Sequence, residues 1–233
     1  MLEPAAPSPA VRGIRIAIDG PAASGKGTVA RAVATALGYL YIDTGAMYRA
    51  LGLAARRAGL RVDDAAGLSS LASGLPLDFA WDGQRARVML GEEDVSVAIR
   101  EPEIGAMASA VAVHPQVRAE LVRRQQLLAA RGRVVVDGRD IGTVVLPDAE
   151  LKLYLDASLS ERARRRHEEF QAKGERVALA EVEAEIRDRD AQDSGRATGP
   201  LQVAPGAVLL DTTGLGIDEV VQRVLRLAQR AGA

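Results

Sequence analysis

Five short apolar runs recur along the chain, and each ends in an aspartate: Ile14 to Asp19, Tyr39 to Asp43, Val134 to Asp137, Leu151 to Asp156 and Val208 to Asp211. Rich in Val, Ile, Leu and Tyr and separated by helical patterns, they read as buried strands of a parallel sheet. The spacing predicts a doubly wound α/β fold, whose ligands bind outside the carboxyl ends of the strands, where the aspartates fall. Helical periodicity places Val29, Val33, Ala36 and Leu37 on one face of a helix that Gly38 ends. It predicts further helices over Thr44 to Arg57, from Pro115 with Val117, Leu121 and Leu128 inward, over Leu159 to Gln171, and over Leu179 to Ala191. A last helix, Ile217 to Ala228, presents Val220, Val221, Val224, Leu225 and Leu227 and packs on the sheet. Asp156, Ser158 and Glu161 form a helix-capping cluster rather than a site.

Extra material sits in one place. About 90 residues separate Asp43 from Val134, far more than the roughly dozen that a single crossover needs. Two weaker helices are expected after Arg57, and then an antiparallel unit: Leu77, Phe79 and Trp81 alternating, a turn at Asp82-Gly83, Arg87 to Leu90, a turn at Gly91, and a strand over Val95 to Ile99. Periodicity does not choose between a decorative hairpin and a lid over an acceptor site.

The segment Gly20 to Thr28 reads Gly-Pro-Ala-Ala-Ser-Gly-Lys-Gly-Thr and follows the first run. Glycines at 20 and 25 let consecutive N–H groups converge on a polyphosphate at a helix N-terminus, and Lys26 adds a mobile positive charge. The Walker pattern is met except that Gly27 stands in its last place and Thr28 comes one later. A phosphate loop implies a nucleoside triphosphate.

Composition narrows the partners. With 233 residues and a net charge of −1, the chain builds one sizeable core and shows no sign of a nucleic-acid or membrane surface. There is no cysteine, and His114 and His167 are the sole imidazoles, which excludes disulfides and makes a zinc hydrolase a poor fit. Met1 to Ala10, rich in Pro and Ala, lacks the layout of a signal peptide and reads as a disordered tail of a cytoplasmic protein. Lysine occurs only at 26, 152 and 173, so arginine carries most positive charge and only its placement is informative. Arg162, Arg165 and Arg166 share a helix face; Arg189, Asp193 and Arg196 align if their helix runs past Gly195.

A switch GTPase needs an N-K-x-D sequence, and the chain contains no asparagine. Asp211-Thr-Thr-Gly imitates the GTPase D-x-x-G but arrives with one helix left, and reads as a turn. Arg49, Arg139, Arg162, Arg166, Arg189 and Arg196 instead suit a kinase whose acceptor is itself a phosphate: an anionic nucleophile needs charge neutralisation more than a strong base. A regulatory nucleotide-binding module without an acceptor is the alternative from another class.

Six strings in register are Gly20 to Thr28, Asp43 to Arg49 (DTGAMYR), Glu93 to Arg100 (EDVSVAIR), Asp137 to Thr143 (DGRDIGT), Glu161 to Arg166 (ERARRR) and Arg189 to Leu201 (RDAQDSGRATGPL). Together they resemble bacterial cytidylate kinases, of the nucleoside monophosphate kinase superfamily. The resemblance implies one P-loop domain over 11–233: a core of about 11–57, 104–158 and 192–233, a monophosphate-binding insertion of about 58–103 and a short helical lid of about 159–191. It implies transfer from ATP to CMP or dCMP with Mg²⁺, in a monomer, with UMP or AMP as the alternative acceptors within the same fold. Gly20, Pro21, Ala22, Ala23, Ser24, Gly25, Lys26, Gly27 and Thr28 would bind ATP, Lys26 spanning its phosphates. Arg49 and Arg139 would hold the CMP phosphate; Ser109, Arg118 and Asp140 would read cytosine; Thr44, Arg189 and Asp193 would hold the sugar, with Tyr48 and Arg196 beside them. Arg162 and Arg166 would close over the triphosphate. No side chain is expected to ligate the metal directly, Asp137 ordering its water shell.

Overall fold

In the computed structural model, which describes residues 13–81, 86–130 and 132–233, the strands are β1 (Arg15–Asp19), β2 (Leu40–Asp43), β3 (Leu77–Trp81), β4 (Ala86–Leu90), β5 (Glu93–Asp94), β6 (Val134–Gly138), β7 (Leu151–Asp156) and β8 (Val208–Asp211). The helices are α1 (Lys26–Leu37), α2 (Thr44–Arg57), α3 (Ala65–Gly74), α4 (Pro102–Val111), α5 (Pro115–Ala129), α6 (Leu159–Ala172), α7 (Leu179–Ser194) and α8 (Ile217–Arg230).

The five predicted runs make one parallel sheet in the order β2-β6-β1-β7-β8. Register aligns their carboxyl ends, pairing Asp43 with Asp137, Asp19 with Gly138 and Asp156 with Asp211. Alternation along β1 splits the core in two. Ile14, Ile16 and Ile18 face α1 and α8 through Val29, Val33, Val220 and Val224. Ala17, Ile42, Val134 and Val136 face α2 and α5 through Met47, Leu51, Val117 and Leu121. Leu153 and Leu155 add to the first face.

A smaller core joins the three-stranded antiparallel sheet to α2 and α4: Ala46, Ala50 and Leu53 pack with Val88, Val95, Ile99 and Ile104. The α6–α7 pair has its own cluster of Ala163, Phe170, Val182 and Ile186, which also takes in Ala22 from the phosphate loop.

Three expectations need correction, and the structure decides a fourth that depended on where α7 ends. Only α3 intervenes between Arg57 and Pro76, because Asp63 and Asp64 hold the connecting turn and Asp64 caps the one helix that forms. The third strand of the small sheet is Glu93–Asp94 and not Val95–Ile99. Ser96 N donates to Asp94 Oδ1 and its hydroxyl accepts from Val88 N, so the chain turns away and Val95 and Ile99 become buried plugs. On α1, Ala36 is exposed and the inward face runs through Val29, Ala30, Val33 and Ala34. Finally, α7 reaches Ser194, so Arg189 and Asp193 share it, while Arg196 lies just beyond the capping Gly195. The turn at Asp82-Gly83 and the tail Met1 to Ala10 lie outside the described residues.

Candidate active site

The loop between β1 and α1 is built of main chain. Gly25 caps α1 in the left-handed region at φ 83°, and Ala23 adopts φ 58°, a conformation that strains an L residue. A Cβ on Gly20 would collide with the Leu155 carbonyl, so only glycine passes β7 there. Lys26 is buried, its Nζ donating to Pro21 O at 3.0 Å. Burial and then the nearby Arg139 push its pKa down, so an arriving polyphosphate would restore the charge by replacing its lost solvation. The Ser24 hydroxyl is buried with no partner. Pro21 and Ala22 are buried, and Thr28 is exposed. Gly27, where the Walker pattern is departed from, faces the Tyr41 hydroxyl and Asp137: a Cβ there would lie 3.4 Å from the first and 3.6 Å from Asp137 Oδ2, in ordinary contact with both.

Asp137 ends β6 inside this corner and accepts from Tyr41 OH at 2.9 Å. Burial, and then its cross-strand neighbour Asp43, push its pKa up. Asp19 plays a different part. It ends β1 and accepts from Ile141 N and Gly142 N, both at 2.8 Å, capping the π-helical turn Ile141–Val145 that follows Asp140. Burial pushes it up to about 6 despite those two donors.

Guanidinium groups make the second half of the site. From β6 onward, Arg139 Nε donates to Asp193 Oδ2 at 2.6 Å, and Arg196 pairs with the other oxygen of the same carboxylate. Burial would raise Asp193, but Arg139 and Arg196 outweigh it and hold its pKa below the ordinary value. Arg189, one helical turn before Asp193, has a buried Nε without a partner, and burial and then Arg139 lower its pKa to about 10. Arg49 on α2 lies within electrostatic range of Arg189, with Nη2 donating to Asp43 Oδ2 at 2.9 Å. The Nε atoms of Arg49, Arg118 and Arg196 are likewise buried and unpaired. Such a cluster of cations is costly unless an anion shares it.

Beside this cluster, Arg118 of α5 pairs with Asp140 and stacks 5.8 Å from the centroid of the Tyr48 ring. Burial raises Asp140, and Arg118 opposes it. Gly199, at φ 60°, presses on both partners; a Cβ there would strike them. Thr44 donates its hydroxyl to Asp137 O at 2.7 Å, and Gly138 must lack a Cβ because that atom would sit 2.7 Å from the Thr44 hydroxyl oxygen.

The fold thus brings together Thr44, Tyr48, Arg49, Arg118, Arg139, Asp140, Arg189, Asp193 and Arg196. Ser109 is half-buried on α4, with no hydrogen bond to Arg118 or Asp140 among the described residues. The lid arginines are otherwise occupied. Arg162 is buried, donating to Ala157 O and Ala22 O at 3.0 Å and to Asp190 Oδ2 at 2.5 Å. Arg166 pairs with Glu169 and lies 4.5 Å from the centroid of the Phe170 ring. Arg165 also approaches the loop, its Nη1 3.8 Å from where a Cβ on Gly25 would be, and is tied to Thr212 O at 2.6 Å. Asp190, Asp19 and Gly199 are functional neighbours that sequence reasoning missed. Asp190 Oδ1 takes the Ala22 N–H at 3.0 Å while its other oxygen holds Arg162. The one available signal was the alternation Arg187-Asp188-Arg189-Asp190 along α7.

The family model for cytidylate kinase matches residues 16–230. The chain belongs to the cytidylate kinase family. Among its relatives, the cytidylate kinase of Symbiobacterium thermophilum is 50% identical over 221 residues, covering 94% of this chain and 97% of that one. That of Caldanaerobacter subterraneus is 51% identical over 211 residues, covering 91% and 92%, and that of Citrifermentans bemidjiense is 48% identical over 210 residues, covering 90% of each. As a member of that family the chain is an enzyme, a phosphotransferase with the P-loop kinase fold. The match runs from β1 to the last turn of α8.

Proposed function

We propose that the protein transfers the γ-phosphoryl group of ATP to CMP or dCMP, giving ADP and CDP or dCDP. Family membership supports the reaction class. The observation that carries the acceptor is the Arg118–Asp140 pair, buried within reach of Tyr48 and flanked by partnerless guanidinium nitrogens. A carboxylate accepts from the exocyclic amine of cytosine, and a guanidinium addresses the ring carbonyl and nitrogen; uracil offers an acceptor where cytosine offers that donor.

In this reading the loop N–H groups and Lys26 hold the triphosphate, and Arg49, Arg139 and Arg189 hold the acceptor phosphate. One of its oxygens attacks the γ-phosphorus while the bond to the β–γ bridging oxygen breaks, the electron pair leaving on ADP. No strong general base is needed, and catalysis rests on alignment and neutralised charge. Asp193 orients Arg139 and Arg196 and leaves the sugar hydroxyls to Thr44 and Arg189. Ser109, at the carboxyl-terminal end of α4, joins Arg118 and Asp140 in reading the base. Arg162 and Arg166 act on the triphosphate after exchanging their present partners.

Magnesium, bound with ATP, would neutralise phosphate charge. The residues fit it: a hard oxygen donor, Asp137, stands in the loop corner, and the described residues contain no cluster of three or more His, Cys, Asp or Glu that would cage an ion without nucleotide. Asp137 would order the metal's waters.

Among the described residues no helix is long and apolar enough to cross a membrane. We read the protein as a cytoplasmic monomer taking free nucleotides; sedimentation as one species of single-chain mass is the outcome expected of a monomer, and a dimer mass would overturn that part of the reading.

The deciding test is ADP release from Mg-ATP with CMP, dCMP, UMP, AMP and GMP presented separately, beside a control without acceptor. Turnover dominated by CMP and dCMP is expected. Preference for UMP or AMP would remove the base-reading roles of Arg118 and Asp140, and ATP loss without any acceptor would favour a regulatory nucleotide-binding module.

A further inference from the structure

The string Glu93 to Arg100 is mostly spent on structure. Val95 and Ile99 are buried, Asp94 and Ser96 end the small sheet, and Glu93 forms a two-armed ion pair with Arg57 at 2.6 and 2.7 Å. Arg100 is left over: its guanidinium is exposed and has no hydrogen bond or ion pair among the described residues. It lines a cavity of about 30 Å³ together with Arg31, Arg49, Tyr41, Phe79 and Ser96.

Three guanidinium groups from three separate elements therefore meet at one cavity: Arg31 from α1, Arg49 from α2, and Arg100 from the turn after β5. Among the described residues that line it, Asp43 is the one carboxylate, and it is already paired with Arg49. Among the described residues Arg31 has no ion-pair partner, and its guanidinium lies 5.7 Å from the centroid of the Tyr41 ring. The cavity thus carries two positive charges without a counter-charge. Its volume admits a head group of a few heavy atoms and excludes a base with its sugar.

We propose that this cavity is a phosphate subsite formed by Arg31, Arg49 and Arg100, distinct from the cluster at Arg139 and Arg189 and joined to it through Arg49. It takes the dianionic head of a phosphate monoester, which forked guanidinium groups recognise by charge-assisted hydrogen bonds. Resting on the acceptor reading above, the monoester is the incoming nucleoside monophosphate. Arg31 and Arg100 catch its phosphate first, and Arg49 passes it inward to Arg139 and Arg189. Two cations at the mouth of a site raise the capture rate of an anion and make it salt-dependent.

The test uses the full chain saturated with a non-hydrolysable ATP analogue, so that the phosphate loop is filled. Inorganic phosphate and CMP are titrated separately while backbone amide shifts are followed, and Arg31→Gln, Arg100→Gln and the double variant are assayed with CMP. Melting temperatures near wild type, expected because both side chains are exposed, exclude misfolding. Saturable shifts at Ser96, Ile99 and Arg100 with both ligands are expected. In the double variant KM for CMP should rise about tenfold with kcat within twofold, and the salt dependence of kcat/KM should flatten. Shifts with inorganic phosphate alone, with KM for CMP unmoved, would overturn the entry role and leave a site for free phosphate. No shift with either ligand and an unchanged KM would overturn the subsite itself. The phosphate titration does not depend on turnover, so a wild type that ignored CMP would refute the acceptor reading without deciding this one.

Discussion

The two halves of the proposed active site are built to meet phosphate by different means. The donor half is a loop of main chain between one strand and one helix, Gly20 to Gly25, with a single lysine behind it. The acceptor half is a set of side chains from α2, α5, β6, α7 and the segment after α7, held in place by carboxylates: Asp193 for Arg139 and Arg196, Asp140 for Arg118, Asp43 for Arg49. The first depends on backbone angles that glycine spacing dictates, so it is rigid before any ligand arrives. The second is a network of ion pairs whose partners can exchange, and unpaired Nε atoms show that it is incompletely satisfied. Preformed binding of the triphosphate and adjustable binding of the acceptor follow from that contrast.

Removing Lys26 should break the contrast most severely. Lys26→Ala should lower phosphoryl transfer about 10³-fold, read as ADP release with CMP, while circular dichroism stays that of wild type. An equal loss of fold would mean that the lysine supports the loop rather than the reaction.

Asp19 joins the halves, ending β1 before the loop and capping the turn after Asp140. Burial raises its pKa from 3.8 to about 6 in the folded protein. The folded state therefore keeps this proton where the unfolded chain has lost it. The stability this contributes is complete below about pH 4 and is lost as pH rises through about 6, a change of about 3 kcal/mol. Urea unfolding at intervals from pH 4 to 7 should show wild type losing that amount relative to Asp19→Asn. A pH-independent difference between the two would contradict the assignment.

Within the acceptor half, Asp140→Ala should raise KM for CMP about 30-fold and erode the preference for CMP over UMP. Unchanged selectivity would move base reading elsewhere. The smallest effect is expected at Asp190, which holds both the Ala22 N–H and Arg162. Asp190→Asn should shift KM for ATP by about fivefold, with CMP affinity measured in parallel as the control. An equal change in both would mean that the clamp supports the whole site and is not particular to the donor half.

The same division decided what could be read from the chain. The parallel sheet was legible because each strand lies in a largely apolar run ending in aspartate, and the loop because its glycines stand at 20, 25 and 27 around Lys26. Arg49, Arg139, Arg189 and Arg196 were legible as residue types, but that Asp193 holds two of them together depends on α7 passing the end of β6. Gly199 and Asp190 escaped notice because their importance lies in contacts with residues far away in sequence. Asp19 stood in plain view at the first strand end, yet its partners Ile141 and Gly142 lie more than 120 positions on. The small sheet was misread at its third strand for a local reason: two side-chain hydrogen bonds from Asp94 and Ser96 outweigh the β-rich composition of Val95 to Ile99.

The core shared by α2, α4 and the small sheet has a mechanical consequence. Ala46, Ala50 and Leu53 interlock with Val88, Val95 and Ile99, and Arg57 is bound to Glu93 across the junction. The helix and the sheet are therefore one lever whose fulcrum is the β2–α2 corner at Asp43 and Thr44. Force applied at the sheet is delivered at Arg49, one and a half turns along the same helix, so whatever rocks the outer unit would re-aim a guanidinium proposed above to hold the acceptor phosphate. Mutations at the distant end of that lever, far from any nucleotide, can be felt at the reacting atoms as torque.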